Sequence, residues 1–206
     1  MSNLLQQLYN DPKTGFISAQ KLFVKARVIR PSITLKQVKE WYLEQEDIQR
    51  HQGQRDRYES FKITSNNPNS WQADLTFWEG ATIITAININ SRIGFARLLK
   101  DKKADTVLKA LKQFTQTHTV KILTTDNGSE FVNKLVESYF KKSQIEHYNN
   151  DAGDHGTMGK IERFNRTLKQ RLIKLPHKLT QRLLADLIDN YNNTNHSVTK
   201  ATPKVK

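Results

Sequence analysis

A chain of 206 residues with 33 Lys+Arg against 20 Asp+Glu carries a formal charge of +13, which favours a polyanionic partner: nucleic acid most simply, an acidic membrane surface next. The lack of cysteine excludes disulfides, thiol catalysis and any zinc site built with cysteine ligands. No long apolar segment or N-terminal signal pattern is present, so the sequence predicts a soluble, intracellular protein of one medium domain and one small one.

Residues 1–50 read as a small helical domain. Asn10-Asp11-Pro12-Lys13-Thr14-Gly15 is a turn, and Ser18 to Lys25 a short helix. Thr34-Leu35-Lys36-Gln37 has the form of a capping box, opening a second helix with Leu35, Val38, Trp41 and Tyr42 on its apolar face. Two readings stand side by side: a helix-turn-helix that meets DNA, and a helical add-on that packs or mediates assembly. Residues 51–69 are polar, with Asn66-Asn67-Pro68-Asn69 as a turn cluster, and read as a linker.

From Ser70 the period changes to two. Trp71, Ala73, Leu75 and Phe77 alternate with Gln72, Asp74, Thr76 and Trp78, which places Asp74 opposite the main apolar set. Glu79-Gly80 and Asn88 to Arg92 are tight turns between strands, so Ser70 to Leu99 predicts a three-stranded antiparallel meander. A helix with Val107, Leu108, Leu111 and Phe114 on one face follows, then the strand Val120 to Thr124, which ends at Asp126. Asn127-Gly128 is a turn, and Ser129 is expected to cap the next helix. Gln144 to Tyr148 reads as a short strand, and residues 149–159 as a polar loop containing His155, a plain loop histidine. A basic helix with Ile161, Phe164, Leu168, Leu172 and Leu175 buried follows, ended by Pro176. A last helix carries Leu179, Leu183, Leu184, Leu187, Ile188 and Tyr191. Three antiparallel strands, a helix, a strand and another helix in this order make an α+β or mixed α/β layout.

Asp74 lies mid-strand, Asp126 at a strand end and Glu162 at a helix start. Each alone reads more readily as a turn former, cap or salt-bridge partner than as a catalyst. If the three converge at one edge of the sheet, their repulsion calls for a hard divalent cation with oxygen ligands, Mg²⁺ or Mn²⁺. Two such ions, roughly 4 Å apart, suit phosphoryl transfer.

Three blocks carry a resemblance: Trp71-Gln72-Ala73-Asp74-Leu75, Thr125-Asp126-Asn127-Gly128-Ser129-Glu130-Phe131, and Gly159-Lys160-Ile161-Glu162-Arg163-Phe164-Asn165-Arg166-Thr167-Leu168-Lys169. Together they resemble the signature blocks of retroviral-type (DDE) integrases, and 35 residues lie between Asp126 and Glu162, which is that family's spacing. Their wording is most similar to integrases of Polinton/Maverick transposons and virophages. The resemblance is strong over residues 70–203 and looser before residue 60.

It implies a ribonuclease-H-like fold, a five-stranded mixed sheet flanked by helices, spanning residues 70–206. It implies that Asp74, Asp126 and Glu162 bind two Mg²⁺ or Mn²⁺ ions and catalyse 3′-end processing and strand transfer of element DNA into target DNA. Water would be the first nucleophile and the exposed 3′-hydroxyl the second. It further implies double-stranded DNA as partner, a homodimer or homotetramer, no membrane, and a setting in the host nucleus or a virus particle. The rival readings are a non-catalytic DNA-binding protein with a degenerate nuclease fold and a cut-and-paste transposase.

Two departures stand out. Without cysteine the N-terminal zinc site of retroviral integrases cannot be built, so no zinc is expected. The chain stops at Lys206, short of the family's C-terminal β-barrel or chromodomain, and so reads as a fragment or as a core dependent on another part. Between Lys160 and Arg182 eight Lys/Arg face one acid, Glu162. Asn165, Arg166 and Lys169 follow Glu162 at helical spacing and are expected, with Lys160 and Arg163, to grip DNA phosphates. Lys174 and Arg182 read as ordinary solvated charges.

Overall fold

Leu5, Leu8 and Tyr9 recur at helical spacing in α1 (Ser2–Asn10), a helix for which the sequence offers no start signal. α2 (Ala19–Ile29) runs a turn beyond the expected end, and α3 (Leu35–Leu43) opens on the expected capping box, with the Thr34 hydroxyl accepting from the Gln37 amide and the Gln37 side chain accepting from the Thr34 amide. The computed structural model describes residues 2–45, 63–150, 157–175, 178–196 and 199–203; the expected loop histidine, His155, and most of the linker lie outside them. The chain divides into two units, Met1–Glu59 with Gln170–Lys178, and Ser60–Lys169 with Leu179–Lys206.

In the first unit Leu5, Leu22, Ala26 and Val38 are fully enclosed around Tyr9. The Tyr9 ring meets Phe16, Trp41 and Tyr42 edge-on, at 6.2, 5.7 and 5.5 Å. Such pairs contribute about 0.5–1.5 kcal/mol each beyond area burial. Lys174 is not the solvated charge expected: its ammonium lies 4.4 Å from the Tyr9 ring centroid and donates to the Tyr9 hydroxyl.

The second unit is built on β1 (Ser70–Trp78), whose apolar face buries Trp71, Ala73 and Leu75 and whose opposite face buries Gln72 and Thr76. A strand covered on both faces belongs in the middle of a sheet. β2 (Ala81–Asn88) and β3 (Gly94–Leu99) complete the antiparallel meander, while β4 (Ile122–Asp126) and β5 (Glu146–Asn150) join in parallel, giving the order β3-β2-β1-β4-β5. The β1–β2 turn places Glu79 at φ 45° and Gly80 at φ 79°, the left-handed pair that matches strand twist.

Between β3 and β4, α4 (Ala104–Thr117) covers the Trp71 face, joined by α5 (Lys134–Lys142) after β4. Phe114, Leu111, Val136 and Phe140 pack there against Ile84 and Leu123. Each fully buried side chain of this size contributes about 1.5–3 kcal/mol. Ser129 does not cap α5. The Gly128 carbonyl takes the amides of Phe131 and Val132 in a turn, and the helix starts after Asn133, whose Oδ1 accepts from the Val136 amide at 3.1 Å.

α6 (Gly159–Leu172) and α7 (Gln181–Asn193) belong to the other face. The Asn192 side chain bonds both the amide and the carbonyl of Gly94, each at 2.8 Å. A Cβ on Gly94 would come within 2.5 Å of the Phe164 ring, so only glycine lets α6 approach β3. The second unit is thus a five-stranded mixed sheet flanked by helices on both faces: a ribonuclease-H-like fold.

Candidate active site

Strand pairing decides where the acids emerge. β1 and β4 run parallel with Gln72 opposite Thr124. Asp74 and Asp126 each lie two residues further on, so they leave neighbouring strands at one level and on one face. α6 supplies Glu162 in its first turn, where the helix dipole favours a carboxylate. Three residues later Asn165, 8% exposed, donates from Nδ2 to Asp74 Oδ2 at 2.7 Å. Glu162 therefore sits one helical turn from the residue that touches Asp74.

Asp74 feels this crowding. Its carboxyl is pushed up to about 6, by burial first and then by the Asp126 charge, with Glu162 adding a smaller push; the Leu75 amide and the Asn165 amide act the other way. Asp126 and Glu162 are exposed at the rim. Asp126 and Glu162 each lie within electrostatic reach of Asp74, but the three are not gathered round one point: among the described residues no group of three His, Asp or Glu stands close enough to hold a metal ion. The tight trio expected from sequence is thus a looser one, with Asp74 turned to Asn165 inside and the other two at the surface.

The donor set nonetheless fits a hard cation. All three candidates are carboxylates, and the buried Oδ1 of Asn165 has no hydrogen-bond partner. Asp126 is fixed from behind: the Thr125 hydroxyl donates to the Asp126 carbonyl at 2.9 Å and meets His147 Nε2 at 2.9 Å. Burial holds His147 below the ordinary histidine range, with Glu137 opposing.

The residues expected to contact phosphate all lie on α6. Arg163 and Arg166 are exposed, and Lys160 and Lys169 half-buried. Asn165 instead points inward, its amide committed to Asp74. Gln72 escaped sequence reasoning. It is 1% exposed, and its side chain bonds Thr157 and Ile161 at the start of α6. The available signal was its place two residues before Asp74, on the same strand face.

A five-stranded mixed sheet flanked by helices, with one carboxylate mid-strand on β1 and another at the end of its parallel neighbour β4, defines a ribonuclease-H-like protein. Residues 65–155 match the integrase core domain family. The Pol polyprotein of equine infectious anemia virus (isolate 1369) is 34% identical over 106 residues, 52% of this chain and 9% of that protein. A transposon-derived protein of Caenorhabditis elegans is 32% identical over 130 residues, 61% of this chain and 45% of that protein. The catalytic core domain of BIV integrase superposes with a TM-score of 0.61 at 26% identity, covering 67% of this chain and 92% of that one. The chain spans 9% of the length of the equine viral polyprotein. Over the matched stretch the chain is similar to integrase core domains, those of retroviral Pol proteins among them. Among the described residues no helix is long and apolar enough to cross a membrane.

Proposed function

We propose that this chain is the catalytic core of a DNA integrase, a polynucleotidyl transferase that trims the 3′ ends of element DNA and joins them to target DNA. One observation carries the reading: Asp74, on a strand parallel to that of Asp126 and bonded to Asn165 one helical turn from Glu162, feels the charge of both. Asp74, Asp126 and Glu162 would hold Mg²⁺ or Mn²⁺. Such ions, when bound, supply Lewis acidity to the attacking and leaving oxygens. Asn165 fixes the Asp74 carboxylate in one orientation. Arg163 and Arg166, with Lys160 and Lys169, would bind the phosphates flanking the scissile bond and hold it in line. Water attacks during trimming, and the freed 3′-hydroxyl during joining.

The partner is double-stranded DNA, bound by a dimer or tetramer in the host nucleus or a virus particle. The wording of the three motif blocks favours a Polinton/Maverick or virophage element as the source. Residues 1–50 form an accessory helical domain in this reading, joined by a linker over 51–69 to the core at 70–206.

The test is divalent-metal-dependent nicking and joining of an end-labelled duplex. Asp126→Asn should lower the rate by at least about a thousandfold while leaving fold and duplex binding intact. Activity retained in that variant overturns the reading. The looseness of the acid trio favours a second one, a DNA-binding protein with a degenerate nuclease fold; it predicts no metal-dependent nicking by the wild-type chain.

A further inference from the structure

The first amides of a helix lack acceptors within the helix, and a side chain just before it normally fills one. Met158 stands at that position before α6 and carries no oxygen to do so. The acceptor comes from another element: Gln72 Oε1 on β1 takes the Ile161 amide at 2.9 Å. The other end of the same amide, Nε2, donates to the Thr157 carbonyl. Thr157 in turn donates from its hydroxyl to Asn150 Oδ1 at 2.5 Å. Asn150 ends β5 and is the register partner of Asp126. One buried glutamine and two polar neighbours thus tie the start of α6 to the strand bearing Asp74 and to the level of Asp126.

We propose that Gln72 is a positioning residue: a helix cap supplied from β1 that sets the distance between Glu162, the residue after Ile161, and Asp74. The proposal rests on the integrase reading for the role of Glu162, and on the hydrogen-bond geometry alone for the cap. A buried amide with both ends used is specific in a way a shape-matched apolar side chain is not. Methionine matches glutamine in length but offers neither bond.

The test uses the full chain with Gln72→Met, Glu162→Gln and the double variant. Amide exchange is followed by nuclear magnetic resonance without metal, and Mn²⁺ binding by electron paramagnetic resonance. Gln72→Met should remove exchange protection at Ile161 and Glu162 while the β1–β2 amides stay protected. It should also weaken Mn²⁺ binding about tenfold, as loss of an outer-shell partner does. The double variant should bind Mn²⁺ no more weakly than Glu162→Gln alone, because both changes remove one contribution.

Unchanged protection at Ile161 and Glu162, or a Mn²⁺ loss that adds to that of Glu162→Gln, overturns the proposal. If the wild-type chain binds no Mn²⁺, the integrase reading fails and the exchange result alone decides whether Gln72 caps α6. Should Gln72→Met not fold, Asn150→Ala loosens the same tie from a strand end. Loss of protection at Ile161 in that variant supports the tie, and full protection overturns it.

Discussion

Asp74 shows how burying a single carboxylate beside two others costs stability. Its carboxyl ionises near 6 in the folded chain against 3.8 for an unperturbed aspartate, so the folded state holds that proton more tightly. Below pH 3.8 the group is neutral in both states and costs nothing. As pH rises through the window from 3.8 to about 6, stability falls, and above it the penalty persists at on the order of 2–3 kcal/mol. Asp74→Asn removes the charge and keeps the shape. In chelator it should melt above the wild type at pH 7.5 and level with it at pH 4; a lower melting temperature at pH 7.5 would contradict this. That Asp74 faces away from the Trp71 side is legible in the alternation of its strand. The Asn165 and Gln72 contacts are not, because each joins residues about 90 positions apart and depends on how α6 seats against β1.

At the scale of elements, local chemistry was readable where the partners lie within one turn. The Thr34–Gln37 capping box and the Glu79-Gly80 turn needed only their own neighbours. The start of α5 did not yield, because two polar residues compete for it. Ser129 precedes Phe131 and Val132, but their amides are already taken by the Gly128 carbonyl, and Asn133 caps the helix instead. Urea melts should therefore separate the two: Asn133→Ala loses about 1 kcal/mol and Ser129→Ala stays within about 0.5 kcal/mol of the wild type. Equal losses would mean that the helix start is set by something other than the Asn133 cap. α1 had no cap to announce it, and its helicity comes from burying Leu5 and Tyr9.

For the whole molecule, the order of strands and helices followed from period changes along the chain, and the net charge of +13 favours a polyanionic partner. Duplex affinity should fall steeply with salt. Arg166→Ala, at an exposed α6 position, should weaken binding across unrelated sequences and reduce the log–log salt slope by about 1. An unchanged slope would place the DNA elsewhere. What neither charge nor period reveals is the spacing of the acids, which hydrogen bonds from Gln72 and Asn165 set across the sheet edge.

The most direct measurement of that spacing is anomalous diffraction from crystals of the full chain soaked in Mn²⁺. A Mn²⁺ peak bonded to Asp74 and Asp126, with Glu162 turned toward it, is the expected result. Mn²⁺ bound only elsewhere, with the three carboxylates still apart, would contradict a metal-dependent DNA transferase at this rim.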